Sequence, residues 1–194
     1  MNRLFCVMGK SASGKDTVYK ALAEDKELSL QRVVPYTTRP RRALERDGVE
    51  YHFVSNEAFD GMRSRGRVIE SRSYNTVHGV WTYFTADDGQ IDFTRGNYIL
   101  IGTLDAYVQI RNYFGWERVV PVYVEVEDGL RLTRALEREK AQEQPRYAEM
   151  CRRFLADCED FSEEKINACN IRQRFENNDF AYCMEQIRQM IKNL

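Results

Sequence analysis

Apolar residues follow three rhythms along this chain, and each rhythm implies an element. RLFCVM is a short apolar run that ends at Gly9; after a Gly/Ser loop, KDTVYKALAED sets Val18, Ala21 and Leu22 at helical spacing. Strand, loop and helix are therefore expected in that order. From Arg32 to about Thr85 the pattern breaks into short β-rich pieces, QRVVPYTT, VEYHFVS, RVIESRSY and GVWTYFT. Between them lie an Arg-rich turn, RPRRALERDG, and a small helix, NEAFDGMRSRG. Two continuous apolar runs follow, NYILIGT and RVVPVYVEV, which read as strands buried on both faces. Each leads into a helical segment, LDAYVQIRNYFG and EDGLRLTRALEREK. EREKAQEQPRYAEMCRRFLADCEDF is rich in both charge signs and broken by Pro145, as a mobile cover or a solvated helical hairpin would be. IRQRFENND and FAYCMEQIRQMIKNL close the chain as a strand and a terminal helix.

The sum is an α/β fold with a central parallel sheet. The core is expected over 1–31 and 86–194, an inserted β-rich lobe over 32–85, and a charged helical lid near 138–150, all within one domain of 194 residues. Charge sharpens the picture: 29 Lys and Arg against 30 Asp and Glu leave a net charge of -1, so any anion site is local rather than a property of the whole surface. No nucleic-acid or membrane partner is expected; no apolar run approaches the ~18 residues of a membrane span. The opening residues lead straight into a motif rather than a signal peptide, so a cytoplasmic setting is the expectation. The five cysteines, Cys6, Cys151, Cys158, Cys169 and Cys183, form no C-x-x-C pair and read as reduced structural thiols.

The chemistry begins at the first loop. Gly9 to Lys15 spells G-x-x-x-x-G-K between a strand and a helix, the context in which backbone N–H groups of Ser11, Ala12, Ser13 and Gly14 turn inward on a phosphate and Lys15 reaches it. Where the motif has Ser or Thr, this chain has Asp16, followed by Thr17. Two readings of Asp16 stand side by side: an oxygen ligand for Mg²⁺, or a negative charge favourable in the first turn of a helix.

With YTTRPRRALERDGVEYHFVSNEAF and GRVIE added, the chain resembles the guanylate kinase family of P-loop nucleoside monophosphate kinases over nearly its whole length. The resemblance implies a three-layer P-loop kinase fold that binds ATP and Mg²⁺ in the core, holds a nucleotide acceptor in the lobe, and transfers the γ-phosphoryl group to GMP or dGMP. It implies that Thr38, Arg39, Arg42 and Tyr51 hold the acceptor phosphate, that Glu70 reads guanine, and that Arg134, Arg138 and Arg152, with Arg153 beside it, are the lid arginines. Asn177, in ENND, falls in the loop beside the donor adenine.

Several positions depart from the family pattern. Pro35 and Val80 stand where the family carries hydroxyls near the base, His78 lies near a family tyrosine, and Thr103, with Asp105, replaces paired aspartates. Asp after the P-loop lysine, together with the IGT and NND segments, also resembles ribose 1,5-bisphosphate phosphokinases, which makes a phosphorylated sugar the alternative acceptor. A catalytically silent binding module of guanylate kinase-like type is the third reading, which the intact Lys15 and loop glycines oppose. Oligomeric state, monomer or homodimer, is not encoded legibly.

Overall fold

The computed structural model describes residues 1–76 and 79–194. Its core is a five-stranded parallel sheet in the order β2 (Gln31–Arg32), β7 (Tyr98–Ile101), β1 (Leu4–Met8), β8 (Val119–Glu125), β9 (Arg174–Glu176). β1 is wholly buried because it lies between β7 and β8 and is covered on both faces. Its alternate residues divide two apolar layers. Leu4, Cys6 and Met8 pack with Tyr107 and Ile110 of α3 (Leu104–Phe114) and Ile166 of α6 (Glu163–Ala168). Phe5 and Val7 pack with Val18 and Leu22 of α1 (Lys15–Glu24) and with Cys183 and Ile187 of α7 (Phe180–Lys192). The expected α/β architecture, a parallel sheet between two helical layers, is what the chain builds.

The lobe is a separate four-stranded sheet, β4 (His52–Phe53), β3 (Tyr36–Thr37), β6 (Gly79–Ala86), β5 (Val68–Thr76), with α2 (Asn56–Ser64) packing Phe59 on Phe84. The stretch QRVVPYTT, which reads as a single β segment, divides between the two sheets: Gln31 and Arg32 pair with β7 of the core, and Tyr36 and Thr37 with the lobe. Pro35, which has no N–H to give a ladder, lies in the crossing between them. The pairing of β5 with β6 shifts register between Val68 and Glu70, and a bulge of this kind re-aims the side chains beside it. Gln109 of α3 accepts from the Ser71 N–H of β5 at 3.3 Å, tying lobe to core.

The charged segment forms two helices, α4 (Asp128–Lys140) and α5 (Tyr147–Asp160), joined across Pro145. The segment is thus a helical hairpin. Among the described residues no helix is long and apolar enough to cross a membrane. All five cysteines are unpaired; Cys6, Cys169 and Cys183 are buried, and Cys151 is exposed. Burial pushes the Cys183 thiol up to about 11, so it stays protonated and inert at neutral pH.

Candidate active site

The phosphate loop is held from three sides. β1 delivers the chain to Gly9, where a Cβ would sit 2.3 Å from the Val124 carbonyl oxygen, so only glycine lets the loop leave the sheet edge. Ala12 (φ 62°) and Gly14 (φ 82°) are left-handed, and Gly14 is the residue from which α1 starts. Alternation of this sort turns successive N–H groups to one side, a concave anion nest backed by a helix N-terminus. Asn177 braces the loop from behind: its Nδ2 donates to the Ser13 carbonyl at 2.8 Å, and Arg134 Nη2 donates to the Asn177 carbonyl at 3.1 Å. In this structure both residues shape the loop instead of facing it.

Lys15 Nζ lies 3.4 Å from Asp16 Oδ2, and the Asp16 side chain is 82% exposed. No side chain caps the start of α1, so the Asp16 carboxylate sits in the first turn with Lys15 as its ion-pair partner and stays open to solvent. Among the described residues no cluster of three or more His, Cys, Asp or Glu is placed to cage a metal. A single exposed carboxylate beside a phosphate nest fits Mg²⁺ all the same, because that ion is commonly held by one or two carboxylates with phosphate and water completing its shell.

The α4–α5 hairpin is fastened to the loop by residues that the sequence pattern did not single out. Arg131 of α4 is 1% exposed and lies over the Phe154 ring, 4.2 Å to its centroid. It donates to Asp128 Oδ1 (3.0 Å), to the Ser11 carbonyl (3.2 Å) and to Asp157 Oδ2 (3.3 Å). Asp157, from α5, in turn accepts from the Ser11 N–H at 2.8 Å, and Lys10 Nζ lies 3.3 Å from Asp128. The apolar rhythm of α4 conceals this, for Leu130 and Leu132 face solvent while an arginine takes the inner position.

In the lobe Arg39 is 4% exposed and fully engaged. Its fork is bidentate with Glu45 (3.0 and 2.7 Å), its Nε donates to the Tyr83 hydroxyl (3.2 Å), and its guanidinium lies over the rings of Tyr51 and Phe53. The Arg39 hydrogen bonds hold the Glu45 carboxyl below the usual range, and burial raises the Tyr51 phenol above its own. Arg42 gives its backbone N–H to Glu45 (2.8 Å) and leaves its guanidinium exposed. The Thr38 hydroxyl accepts from the Thr82 N–H, locking β6 to the turn. Glu70, 2% exposed, is held by Arg72 and by Thr85 Oγ1 (2.9 Å); Arg72 also reaches Thr103 Oγ1 (3.2 Å), the N-cap of α3. His78 lies outside the described residues.

Loop, lobe and lid open on one cleft of about 870 Å³, whose lining includes Ser11, Arg42, Arg138, Arg146 and Arg153. Arg152 is not in that lining; it pairs at 2.7 Å with Glu149, which is, and its side chain is 66% exposed. Helical geometry explains the exchange, since adjacent residues on α5 diverge by about 100° and only one of the pair can face inward. Arg146 sits just before α5, in the polar linker where the sequence pattern gives no periodic signal.

A phosphate nest at the end of a central parallel strand, with a β lobe and a helical lid facing it across an arginine-lined cleft, defines a P-loop phosphotransferase fold. The guanylate kinase family model matches residues 1–82. Guanylate kinase from Porphyromonas gingivalis is 28% identical over 98% of this chain and 97% of its own length. Guanylate kinase from Cupriavidus metallidurans is 42% identical over 77 residues, 39% of this chain and 33% of that protein. The crystal structure of guanylate kinase from Anaplasma phagocytophilum superposes with a TM-score of 0.63 at 21% identity, covering 99% of this chain and 85% of that one, and so matches in fold. The chain is thus similar to guanylate kinases in sequence, most strongly over its first 82 residues, and shares their fold.

Proposed function

We propose that the chain catalyses ATP-dependent transfer of the γ-phosphoryl group to a nucleoside monophosphate, with GMP or dGMP as the acceptor. The observation that carries this reading is the single cleft onto which the Ser11 side of the phosphate loop, Arg42 of the acceptor lobe and Arg138 and Arg153 of the lid all open. Donor and acceptor phosphates brought into that space face each other among five arginines, counting Arg146 and the buried Arg131, and such placement with charge neutralisation is most of what phosphoryl transfer needs.

In this reading the loop N–H groups and Lys15 hold the donor phosphates, with Ser11, Ala12, Ser13, Gly14 and Thr17 around them. Gly9 gives the close turn, and Asn177 with Arg134 keeps the nest in shape. Asp16 is the protein ligand for Mg²⁺, which when bound neutralises charge on the donor phosphates. Arg42 and Tyr51 grip the acceptor phosphate. Arg39, both ends of whose fork meet Glu45, brackets them in place and is less directly engaged. Arg138 and Arg153 neutralise the transferring group, Arg152 lying outside on the same helix. Glu70 reads the base, and Thr103 supports it through Arg72. No side-chain base is required, because the acceptor phosphate is already ionised. A cytoplasmic setting accords with these substrates.

The test is ADP release by purified protein with ATP and Mg²⁺, offered GMP, dGMP, IMP, AMP, UMP, CMP and ribose 1,5-bisphosphate in turn. Turnover is expected with GMP and dGMP above the others. Turnover with the sugar bisphosphate alone would overturn the nucleotide acceptor, and silence with every acceptor would overturn the enzyme.

A further inference from the structure

The acceptor lobe carries a second charged pair that the phosphate grip leaves unused. Glu70 and Arg72 are two residues apart on β5 and so point to the same side of the sheet. The bulge before Glu70 sets it opposite Thr85 of β6, whose hydroxyl anchors Oε1. Arg72 Nε lies 3.1 Å from Glu70 Oε2 and Nη2 3.4 Å from Oε1, while Nη1 reaches across to Thr103 of the core. The Glu70 side chain is 1% exposed and that of Arg72 18%, so the arginine is the reachable member. Val33, Pro35, Leu100 and Ile101 complete the wall, and the free space between them is about 10 Å³, on the order of a single water. A ring entering here has to share Glu70 with Arg72.

A carboxylate only accepts hydrogen bonds and a guanidinium only donates them. In the closed fork Glu70 accepts from Arg72 Nε and Nη2 and from Thr85 Oγ1; when an incoming ring opens the fork, the pair presents two acceptor oxygens followed by N–H donors. The ring edge that matches this order carries adjacent N–H groups and then a carbonyl oxygen, which is the edge of guanine: exocyclic amine, N1–H, O6. The apolar wall at Pro35 offers no donor for that oxygen, and Arg72 retains N–H groups beyond the three bonds it makes. We propose that Arg72 is a specificity-determining residue of the acceptor subsite, donating to the 6-oxo group of the purine while Glu70 accepts from N1–H and the exocyclic amine. The inference rests on the GMP reading above and adds to it the group that reads O6.

The experiment compares kcat/KM for GMP, 6-thio-GMP and IMP in the wild-type chain and in Arg72→Lys and Arg72→Met. The thio analogue keeps both N–H groups and weakens only the acceptor at position 6, and IMP lacks only the amine. Ratios between acceptors are unaffected by partial loss of folded protein, and Arg72→Lys keeps a cation beside Glu70 if the methionine variant folds poorly. Wild type is expected to prefer GMP over 6-thio-GMP by on the order of tenfold, with the preference falling towards unity in both variants. The GMP to IMP ratio should stay as in wild type. An unchanged GMP to 6-thio-GMP ratio overturns the assignment while leaving the kinase reading intact. Collapse of both ratios together would make Arg72 a positioning residue for Glu70 and equally overturn the contact to O6. Wild-type silence with every purine monophosphate would instead remove the kinase reading on which this rests.

Discussion

At the scale of single residues, Lys15 and Asp16 carry opposite charges 3.4 Å apart at the start of one helix, and they answer to different measurements. Lys15→Ala should lower kcat by at least about a hundredfold, as loss of a preorganised charge on a transferring phosphoryl group does. Asp16→Asn should raise the Mg²⁺ concentration for half-maximal rate by on the order of tenfold while leaving the unfolding midpoint near wild type, because the side chain is exposed and caps nothing. A Mg²⁺ titration indistinguishable from wild type would return Asp16 to the role of a favourable charge in a first helical turn. The phosphate loop was legible in the sequence because its meaning is local: glycine spacing, a strand before it and a helix after it. Arg72 was not legible, because its role arises from Glu70 on its own strand, Thr103 across the lobe boundary and a bulge that shifts register between them. Glu45 was hidden likewise, inside an Arg-rich turn that reads as solvated charge.

At the scale of elements, α5 sorts its two adjacent arginines. Arg153 lines the cleft; Arg152 lies outside it, and both pair with Glu149. Arg153→Ala is expected to cost about tenfold or more in kcat and Arg152→Ala less than about threefold. The reverse order, read from steady-state rates at saturating substrates, would mean that the hairpin turns its other face to the reacting groups. α4 supplies a different test, of stability. Truncating Arg131 leaves the Asp157 carboxylate, 17% exposed, with the Ser11 N–H but no counter-charge, and losing one partner of a buried ion pair costs about 3–5 kcal/mol. Arg131→Ala should therefore lower the urea midpoint well beyond Arg152→Ala, whose exposed helical pair is worth at most about 0.5 kcal/mol. Helices and core strands were readable from periodicity wherever one face meets the sheet. α6 was not, since six residues are too few to establish a period, and α4 misdirects by exposing leucines and burying an arginine. The two-residue lobe strands, β3 and β4, are fixed by pairing across the sheet rather than by their own composition.

At the scale of the whole molecule, carboxylates paired with arginines hold junctions in the lobe, between lid and loop, and between α6 and β9, and this sets the response to acid. Arg39 hydrogen bonds hold Glu45 below its ordinary range in the lobe. Partial burial works to raise Asp128, but Arg131 and Lys10 outweigh it and leave the carboxyl depressed where lid meets loop. Arg174 likewise depresses Glu163, joining α6 to β9. Each of these groups releases its proton more readily folded than unfolded, so its stabilisation is complete above the unfolded value and is lost as pH falls through the folded one. The unfolded values, 3.8 for Asp and 4.5 for Glu, place the onset near pH 4.5. Urea midpoints should thus stay level from about pH 7 to 5.5 and fall steeply below about 4.5. Glu45 is the member with the least exposed side chain, at 15%, so solvent screens its pair least. Glu45→Gln should lower the midpoint at pH 7 and make the profile below pH 4.5 visibly shallower. If wild type and Glu45→Gln lose stability in parallel down to about pH 3, the Arg39 fork is not where the acid acts, and the loss belongs to Asp128 at the lid junction or Glu163 between α6 and β9, whichever of Asp128→Asn and Glu163→Gln flattens the curve.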